Sequence, residues 1–585
     1  MAPFISDQHL VFDFIDEHDV PRSLGFSRPV EIITTSSLSK VTSCLREVQR
    51  GVDHGLYAAG YLSYEAAQAL DPSLTVQPGT EMPLIWFGLF TKPSLALHEP
   101  LESFQLSPWE SSISRSRYDA GIGSVRDAIE CGDAYQVNYT LRLRARFEGN
   151  DYMFYRHLVA AQRARYCAYL NLGRYRILSI SPELFFHRQG SRIIARPMKG
   201  TMKRGRWLEE DEMFGAQLRG SEKNRAENVM IVDLVRNDLG RIAETGSVQV
   251  TRLFEIERYS TLWQMTSTIE ATLREGCTLE EIFTALFPSG SVTGAPKTST
   301  MKIISGLEDS PRGVYCGAVG FVRPDQQATF NVAIRTVVID SELGTAQYGI
   351  GGGITWDSTA ADEYQEALNK AAVLAVSGAE FELLETMRLE NGSFALLERH
   401  LKRLQSSAKY FEFSFSPESA KQELEVFASA VAGEMLRVRL LLSRNGRLRV
   451  ESQPLEAFPV GLVPVKIASR PISRDRIFLY HKTTERSVFD ELTAEFPEVH
   501  DVLLWNEERE VTEFTTGNLI AKLNGELITP ARACGLLAGT LRAQLIDDGL
   551  ISERVLKLSE LSLASALWLI NSVRGWVPVR LERET

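Results

Sequence analysis

The first residue in this chain whose surroundings could make it reactive is a lysine. In RPMKGTMKRG, residues 196–205, Lys199 stands between Pro197 and a Gly200-Thr201 turn, with Arg196, Lys203 and Arg204 close by. A run of like charges is ordinarily a solvated loop. An amine that is crowded by cations and partly buried loses its proton more readily, however, and becomes a nucleophile. These residues alone leave both readings open.

A second chemistry is carried by carboxylates. SEKNRAENVMIVDLVRNDLG, 221–240, has a helical pattern in which Met230, Ile231 and Leu234 follow Glu227 by three, four and seven residues. Glu227 therefore falls on the inward face, with Asn224 one turn earlier. A buried carboxylate needs a partner, either a salt bridge to Arg225 or Arg236 or, with further carboxylates, a metal. Glu363 and Glu366, spaced i, i+3 in the helical pattern DEYQEALNKAAVLAVSG at 362–378, can supply them, and such an oxygen set suits Mg²⁺. Two glycine-rich stretches add candidate anion sites. QYGIGGGITWDS, 347–358, places Gly351, Gly352 and Gly353 where bare N–H groups could form a nest, or a bulge or tight turn. FPSGSVTGAPK, 287–297, brings hydroxyls and N–H groups to a helix start. No GxxxxGK[ST] is present, so no nucleotide phosphate loop is read.

Nearer the C-terminus, RIFLYHKTTERSVFDEL puts Lys482 after a short apolar run, at a strand end. Alone it reads most simply as an exposed lysine. EVTEFTTGNLI, 510–520, then offers the acid Glu513 and a Gly-Asn turn, and ACGLLAGTLRAQLIDDG opens a helix at Gly539-Thr540. A lysine, a carboxylate and a helix N-terminus for phosphate together meet the needs of a pyridoxal 5'-phosphate (PLP) site.

The elements that must position these groups fit a chain of 585 residues, too long for one core. Hydrophobic residues make up 44% and charged residues 24%, as in ordinary globular proteins. A net charge of −11 argues against nucleic acid or anionic membranes as partners, so an anionic small substrate must be held by local cations. Six scattered cysteines with no CxxC pair argue against a zinc site or disulfide framework and fit a reducing, cytoplasmic setting. No signal-peptide pattern and no long apolar run are read. LIWFGLF (84–90), VYCGAVGFVR (314–323) and FNVAIRTVVID (330–340) read as strands among long helices, an α+β pattern. The helix at 362–378 closes on Gly378, and a hairpin of FELLETMRLE, Asn391-Gly392 and SFALLE then begins a new module whose next element is the helix RHLKRLQSSAKYF. The boundary is placed near 378–380, giving domains 1–377 and 380–585.

Several motifs occur in one order: DAYQVNYT (133–140), SPELFF (181–186), RPMKGT (196–201), AENVMIVDLVRNDLG (226–240), PSGSVTGAPK (288–297), RGVYCGAVGF (312–321), NVAIRT (331–336) and GGGITWDSTAADEYQEALNKA (351–371). Together they closely resemble the chorismate-utilising enzymes: anthranilate synthase, aminodeoxychorismate synthase and their isochorismate relatives. The resemblance implies large packed β-sheets flanked by helices, with chorismate and Mg²⁺ between them. It implies Glu227 and Glu366 as metal ligands with Glu363 beside them, and Tyr315 and Arg335 as contacts to the enolpyruvyl carboxylate. It further implies Gly351, Gly352, Gly353 and Thr293 around the substrate, and Glu183 as the general acid for the departing 4-hydroxyl. Aminodeoxychorismate synthases carry lysine at the position of Lys199, where anthranilate synthases carry alanine. That lysine adds at C2 of the ring as the 4-hydroxyl leaves, and ammonia then displaces it by adding at C4. Gln264 departs from the family histidine and cannot transfer a proton near neutral pH. The chain has no amidotransferase module, so ammonia is expected from a separate glutamine amidotransferase subunit, with free ammonia as the fallback.

ETMR (385–388), LERHLKRLQSSAKYF (397–411), YHKTT, EVTEFTTGNL and LLAGTLR resemble the class IV, branched-chain-aminotransferase-like PLP fold. By that resemblance Lys482 binds PLP covalently, Glu513 bonds the pyridine nitrogen, and Arg403, Gly539 and Thr540 hold the phosphate. Asn518 shapes the site backbone or is a turn residue. The fusion points to a lyase releasing pyruvate from aminodeoxychorismate to give 4-aminobenzoate, for folate biosynthesis. The alternatives are an amino-acid transaminase or a catalytically silent docking module in the second domain, and anthranilate formation in the first. PLP enzymes of this fold are often dimers, so a homodimer is a further expectation by analogy.

Overall fold

In the computed structural model, residues 8–15, 20–94, 103–374, 381–431, 433, 435–456 and 461–582 are described. Gly378 and the expected boundary at 378–380 lie outside them. Tertiary contacts divide the chain into two units.

The first unit comprises Met1–Arg204 and Phe214–Ala379. Its two ten-stranded antiparallel sheets are built from apolar runs such as HLVFDFI at His9–Ile15 and IWFGLF at Ile85–Phe90, the latter buried along its whole length. Phe12, Phe26, Phe90, Tyr166, Val319 and Phe321 are contributed by both sheets to one apolar layer. The outer face of each sheet carries helices. Glu222–Gly240 and Leu279–Leu286 pack on one, and Arg115–Glu130, Asp151–Gln162 and Ala360–Ala371 on the other. The segment read as one strand at 330–340 is two. Ala328–Val332 belongs to one sheet and Thr336–Asp340 to the other, and the chain crosses between them through Arg335 at φ 50. The helix expected over 362–378 runs from Ala360 to Ala371 and ends in a 3-10 turn, Ala372–Leu374.

The second unit comprises Gly205–Met213 and Glu380–Thr585. It has a four-stranded sheet backed by the helices Leu397–Phe411 and Pro417–Ala430, and an eight-stranded mixed sheet with its own core. The second strand of the expected hairpin is only Ser393–Phe394, because Leu396 at φ 56 turns the chain early into the helix. Inclusion of Gly205–Met213 was not legible in the sequence. The Tyr410 hydroxyl donates to the Gly205 carbonyl (2.7 Å), and the Arg206 guanidinium donates to the Tyr480 hydroxyl (3.1 Å). The architecture is α+β throughout. Among the described residues no helix is long and apolar enough to cross a membrane, and the six cysteines are free thiols.

Candidate functional site

In the first unit Lys199 lies on the strand Met198–Lys203, which pairs with Leu262–Thr272 through a register shift between Met198 and Thr201. The shift is a bulge. Gly200 takes φ +92 there, and the Gln264 amide donates to the Gly200 carbonyl at 2.8 Å. Gln264 therefore fixes the backbone next to Lys199. The amine of Lys199 reaches the strand Thr345–Ile354, where a Cβ on Gly353 would stand 2.8 Å from Nζ and 2.1 Å from the Gln136 amide nitrogen. Burial is the chief cause that lowers the Lys199 pKa, and Lys370 adds to it, while Glu227, Glu183 and Glu366 oppose it. The expected helpers do not act. Arg196 is paired with Glu257 at 2.7 Å, and Lys203 is exposed at the strand end, over the Phe214 ring. The cation that matters comes from a distant helix.

The three glycines are not a loop nest. Gly351, Gly352 and Gly353 lie inside a strand, opposite Thr140, Tyr139 and Asn138. The strand on the other side pairs only as far as Tyr348, and the Gly351 carbonyl on that edge accepts from Lys370 at 2.9 Å. Close approach requires glycine at 351, where a Cβ would meet the Tyr139 carbonyl at 2.2 Å; at Gly352 a Cβ would come within 3.2 Å of the Glu363 carboxylate, the end of a flexible side chain.

Glu183 is 2% exposed, and burial pushes its carboxyl up to about 7 even though the Ser291 hydroxyl donates to it at 2.6 Å. A carboxyl half-protonated near neutrality is matched to general acid work. Ser291 belongs to the short 3-10 turn Gly290–Val292 and was not singled out from the sequence; its position inside PSGSVTGAPK was the available signal.

Glu227 is half-buried at the edge of the inward stripe, which runs through Asn228, Ile231, Val232 and Val235 rather than through Met230 and Leu234, and neither proposed arginine pairs with it. Arg225 covers the Phe254 ring and Arg236 pairs with Asp233. Glu227, Glu366 and Lys199 are mutual electrostatic neighbours, and Glu366 in turn raises the acid of Glu363. The donor chemistry is that of a hard-cation site. The set is not preassembled: Glu366 is paired with Lys370 at 2.7 Å, Glu363 accepts from Ser358 at 2.6 Å, and no three acidic, His or Cys groups among the described residues stand close enough to hold a metal ion.

Arg335 and Tyr315 are both buried. The Arg335 guanidinium is a cation with an unpaired Nη1 and no carboxylate partner among the described residues; its electrostatic neighbours are Tyr348 and Tyr259. Such a group calls for an anion. Tyr315 lies against Gly349 and under the Arg142 guanidinium, which belongs to a buried cluster with Glu308 and Arg312. The Thr293 hydroxyl is turned into its own loop, donating to the carbonyls of Ser289 and Gly290 at 3.2 and 3.4 Å.

In the second unit Lys482 follows a 3-10 turn, Ile477–Leu479, rather than ending a strand. Its carbonyl accepts from Leu384 N–H at 2.9 Å and Thr483 bridges Leu383, so it runs beside the strand Leu383–Glu390. Burial lowers its pKa to about 8, assisted by Arg403. Glu513, on the buried strand Val511–Phe514, accepts from the Asn518 amide and the Leu537 N–H, each at 3.0 Å, and burial raises it to about 8. Asn518 also donates to the Leu537 carbonyl, and its Oδ1 leaves no room for a Cβ on Gly539. That glycine caps the helix Thr540–Asp547. Arg403 is held bidentately by Glu385 at 2.8 and 2.6 Å and donates to the Ala538 carbonyl. The buried His400 joins Glu385 at 2.6 Å to Thr540 at 3.2 Å. Lys482 and Glu513 are electrostatic neighbours, and the Arg403 guanidinium, although paired with Glu385, is held at the Ala538 carbonyl just before the helix N-terminus, where N–H groups suit a phosphate. This donor set fits PLP. The roles of Glu385 and His400 were missed, since ETMR and ERHLKR read equally well as strand and helix surface.

Residues 16–376 match the model of the chorismate binding enzymes, and residues 382–581 that of the class IV amino-transferases. Aminodeoxychorismate synthase component 1 of Escherichia coli is 40% identical over 272 residues, covering 46% of this chain and 60% of that protein. Anthranilate synthase component 1 of Aquifex aeolicus is 39% identical over 266 residues, covering 46% and 53%. The chain thus spans less than two thirds of the length of these relatives. The crystal structure of anthranilate synthase component I from Streptococcus pneumoniae aligns with a TM-score of 0.51 at 27% identity, covering 63% of this chain and 90% of that one. The chain belongs to the chorismate binding enzyme family and carries a class IV amino-transferase domain behind it.

Proposed function

We propose that the first unit aminates chorismate to 4-amino-4-deoxychorismate and that the second eliminates pyruvate from this product to give 4-aminobenzoate. The observation that carries the first step is the Lys199 amine, its pKa lowered, with the half-protonated Glu183 among its electrostatic neighbours. Relatives that make anthranilate match the sequence about as well as those that make aminodeoxychorismate. The lysine, not overall similarity, favours amination at C4.

In this reading the neutral Lys199 amine forms a bond to C2 as the C4 hydroxyl departs, taking its proton from Glu183 and leaving as water. Ammonia then bonds to C4 and the lysine leaves from C2, so the ring double bonds return to their places. Arg335 holds a substrate carboxylate. Glu227, Glu363 and Glu366 would hold Mg²⁺ once Lys370 yields Glu366, and the ion would neutralise the substrate's ring carboxylate. A separate glutamine amidotransferase would supply the ammonia.

In the second unit, PLP when bound supplies an electron sink for bond cleavage beside the substrate amine. Arg403, Thr540 and the helix N-terminus would hold its phosphate and Glu513 would meet its pyridine nitrogen, while Lys482, near pKa 8, would move a proton off the substrate ring and return one as pyruvate leaves. Incubation with chorismate, ammonia, Mg²⁺ and PLP should yield 4-aminobenzoate and pyruvate, and Lys199→Ala should abolish both while the PLP absorbance stays. Formation of 2-aminobenzoate, or full activity of that variant, would overturn the proposal.

A further inference from the structure

Arg437 has Arg486 and Arg574, from two other elements of the second unit, as neighbours, and Arg486 in turn neighbours Lys482. On the strand Leu436–Leu442, Leu436, Val438, Leu440 and Leu442 enter the core, so Arg437 and Arg439 project from the opposite face. Arg486 precedes the helix Ser487–Ala494 and is anchored by the Thr515 carbonyl at 2.8 Å, two residues beyond Glu513. Arg574 sits in the turn after Asn571, whose side chain accepts from the Val573 and Arg574 N–H groups at 3.1 and 2.8 Å and donates to the Thr516 carbonyl at 3.3 Å; the Ser572 hydroxyl donates to the Thr386 carbonyl at 3.5 Å, and the Arg574 guanidinium donates to the Glu456 carbonyl.

Arg486 links the group to the reactive lysine, since it is an electrostatic neighbour of Lys482, of Glu513 and of Arg437. The surroundings of Arg437 are one-sided. Its neighbours are Arg439, Arg574 and Arg486, and its cross-strand partners are Arg388 and Gln453. Arg439 is paired with Glu451 at 3.2 Å and Arg388 lies 3.5 Å from Glu390, but among the described residues Arg437 has no carboxylate partner. A half-buried guanidinium surrounded by its own charge is costly, and an anionic ligand removes the cost. Arg486 lies 3.9 Å from the exposed Asp490, so the three guanidiniums outnumber the one carboxylate beside them, and a single ligand carboxylate would leave the cluster positive. Two suit it, and guanidinium forks match carboxylates in shape.

We infer that Arg437, with Arg486 and Arg574, forms a carboxylate-binding subsite next to Lys482 that selects a dicarboxylate ring substrate over a monocarboxylate amino acid. This rests on the reading of the second unit as a PLP site acting on a chorismate-derived amine. The probe is 3-(carboxymethoxy)benzoate, an aromatic dicarboxylate without an amine, compared with phenoxyacetate. Both are titrated into the full chain loaded with PLP, and the visible absorbance of the lysine-bound cofactor confines the readout to this site. The dicarboxylate should bind at least about ten-fold tighter than the monocarboxylate. Arg437→Met should erase that preference without changing the unliganded spectrum, and Arg437→Lys should keep part of it. If Arg437→Met fails to take up PLP, Arg574→Met gives the same test. Equal affinities in the parent protein, or an unchanged preference in the methionine variants, would overturn the subsite. A dicarboxylate preference lost with Arg437, in a protein that releases no pyruvate from aminodeoxychorismate, upholds the subsite and fails the lyase reading. Pyruvate release by Arg437→Met at the parental KM does the reverse.

Discussion

Removing one hydroxyl tests the acid role of Glu183 more directly than removing the carboxylate. Ser291 donates to Glu183 at 2.6 Å inside a site from which water is largely excluded, and this bond favours the ionised form. A hydrogen bond to a charged group contributes about 1.5–3 kcal/mol, and one pKa unit corresponds to about 1.4 kcal/mol. Ser291→Ala should therefore raise the Glu183 pKa by about one to two units above its value of about 7. A general acid must be protonated, so the rate falls as pH rises through its pKa, and the alkaline limb of the profile should move to higher pH by the same amount. The maximal rate should fall roughly ten-fold, because the carboxyl loses the group that orients it. The assay is kcat/KM for chorismate consumption from about pH 6 to about pH 9, with ammonia corrected to its neutral form. A limb that stays in place in the variant would show that Glu183 is not the acid in the chemical step, whatever happens to the maximal rate.

Gly353→Ala puts a methyl against two flexible side-chain ends, Lys199 and Gln136, so the fold should survive while amination falls by about 100-fold; an unchanged rate would place Lys199 elsewhere during turnover. Gln264→His restores a titrating group at the Gly200 carbonyl, and amination should acquire a new ionisation between about pH 6 and about pH 7, absent from the parent profile. In the second unit, Lys482→Ala should abolish both pyruvate release and the visible absorbance of bound PLP, leaving chorismate consumption intact. Glu385 is held down to about 2 by Arg403 and His400. A carboxyl lowered from its ordinary 4.5 stabilises the fold above that pH, and about 3 kcal/mol is lost as pH falls toward 2. Near-ultraviolet circular dichroism should show that acid transition in the parent and a shallower one in Glu385→Ala, which should also bind PLP at least ten-fold more weakly.

The sequence by itself determined which residues are candidates and what elements they sit on. Helical spacing put Glu227 on a helix, at the half-buried edge of its inward face, an apolar run gave the strand at Ile85–Phe90 and a partly alternating one that at Leu383–Glu390, and the Gly539-Thr540 pair opened a helix. These are local properties, set by periodicities of two and 3.6 residues and by capping. Partners across the fold were decided only by tertiary structure. Lys370, some 170 residues from Lys199, is the cation that depresses it; Ser291 tunes Glu183 across 108 residues. The glycines at 351–353 have the composition of a nest but lie in a strand, because residues 345–354 find a continuous ladder partner in 137–146. The run at 330–340 has the composition of one strand but is cut at Arg335, because each half finds its hydrogen bonds in a different sheet. Composition gives each residue's chemistry, but pKa values and pairings depend on distance and burial, and these follow from how the whole chain packs.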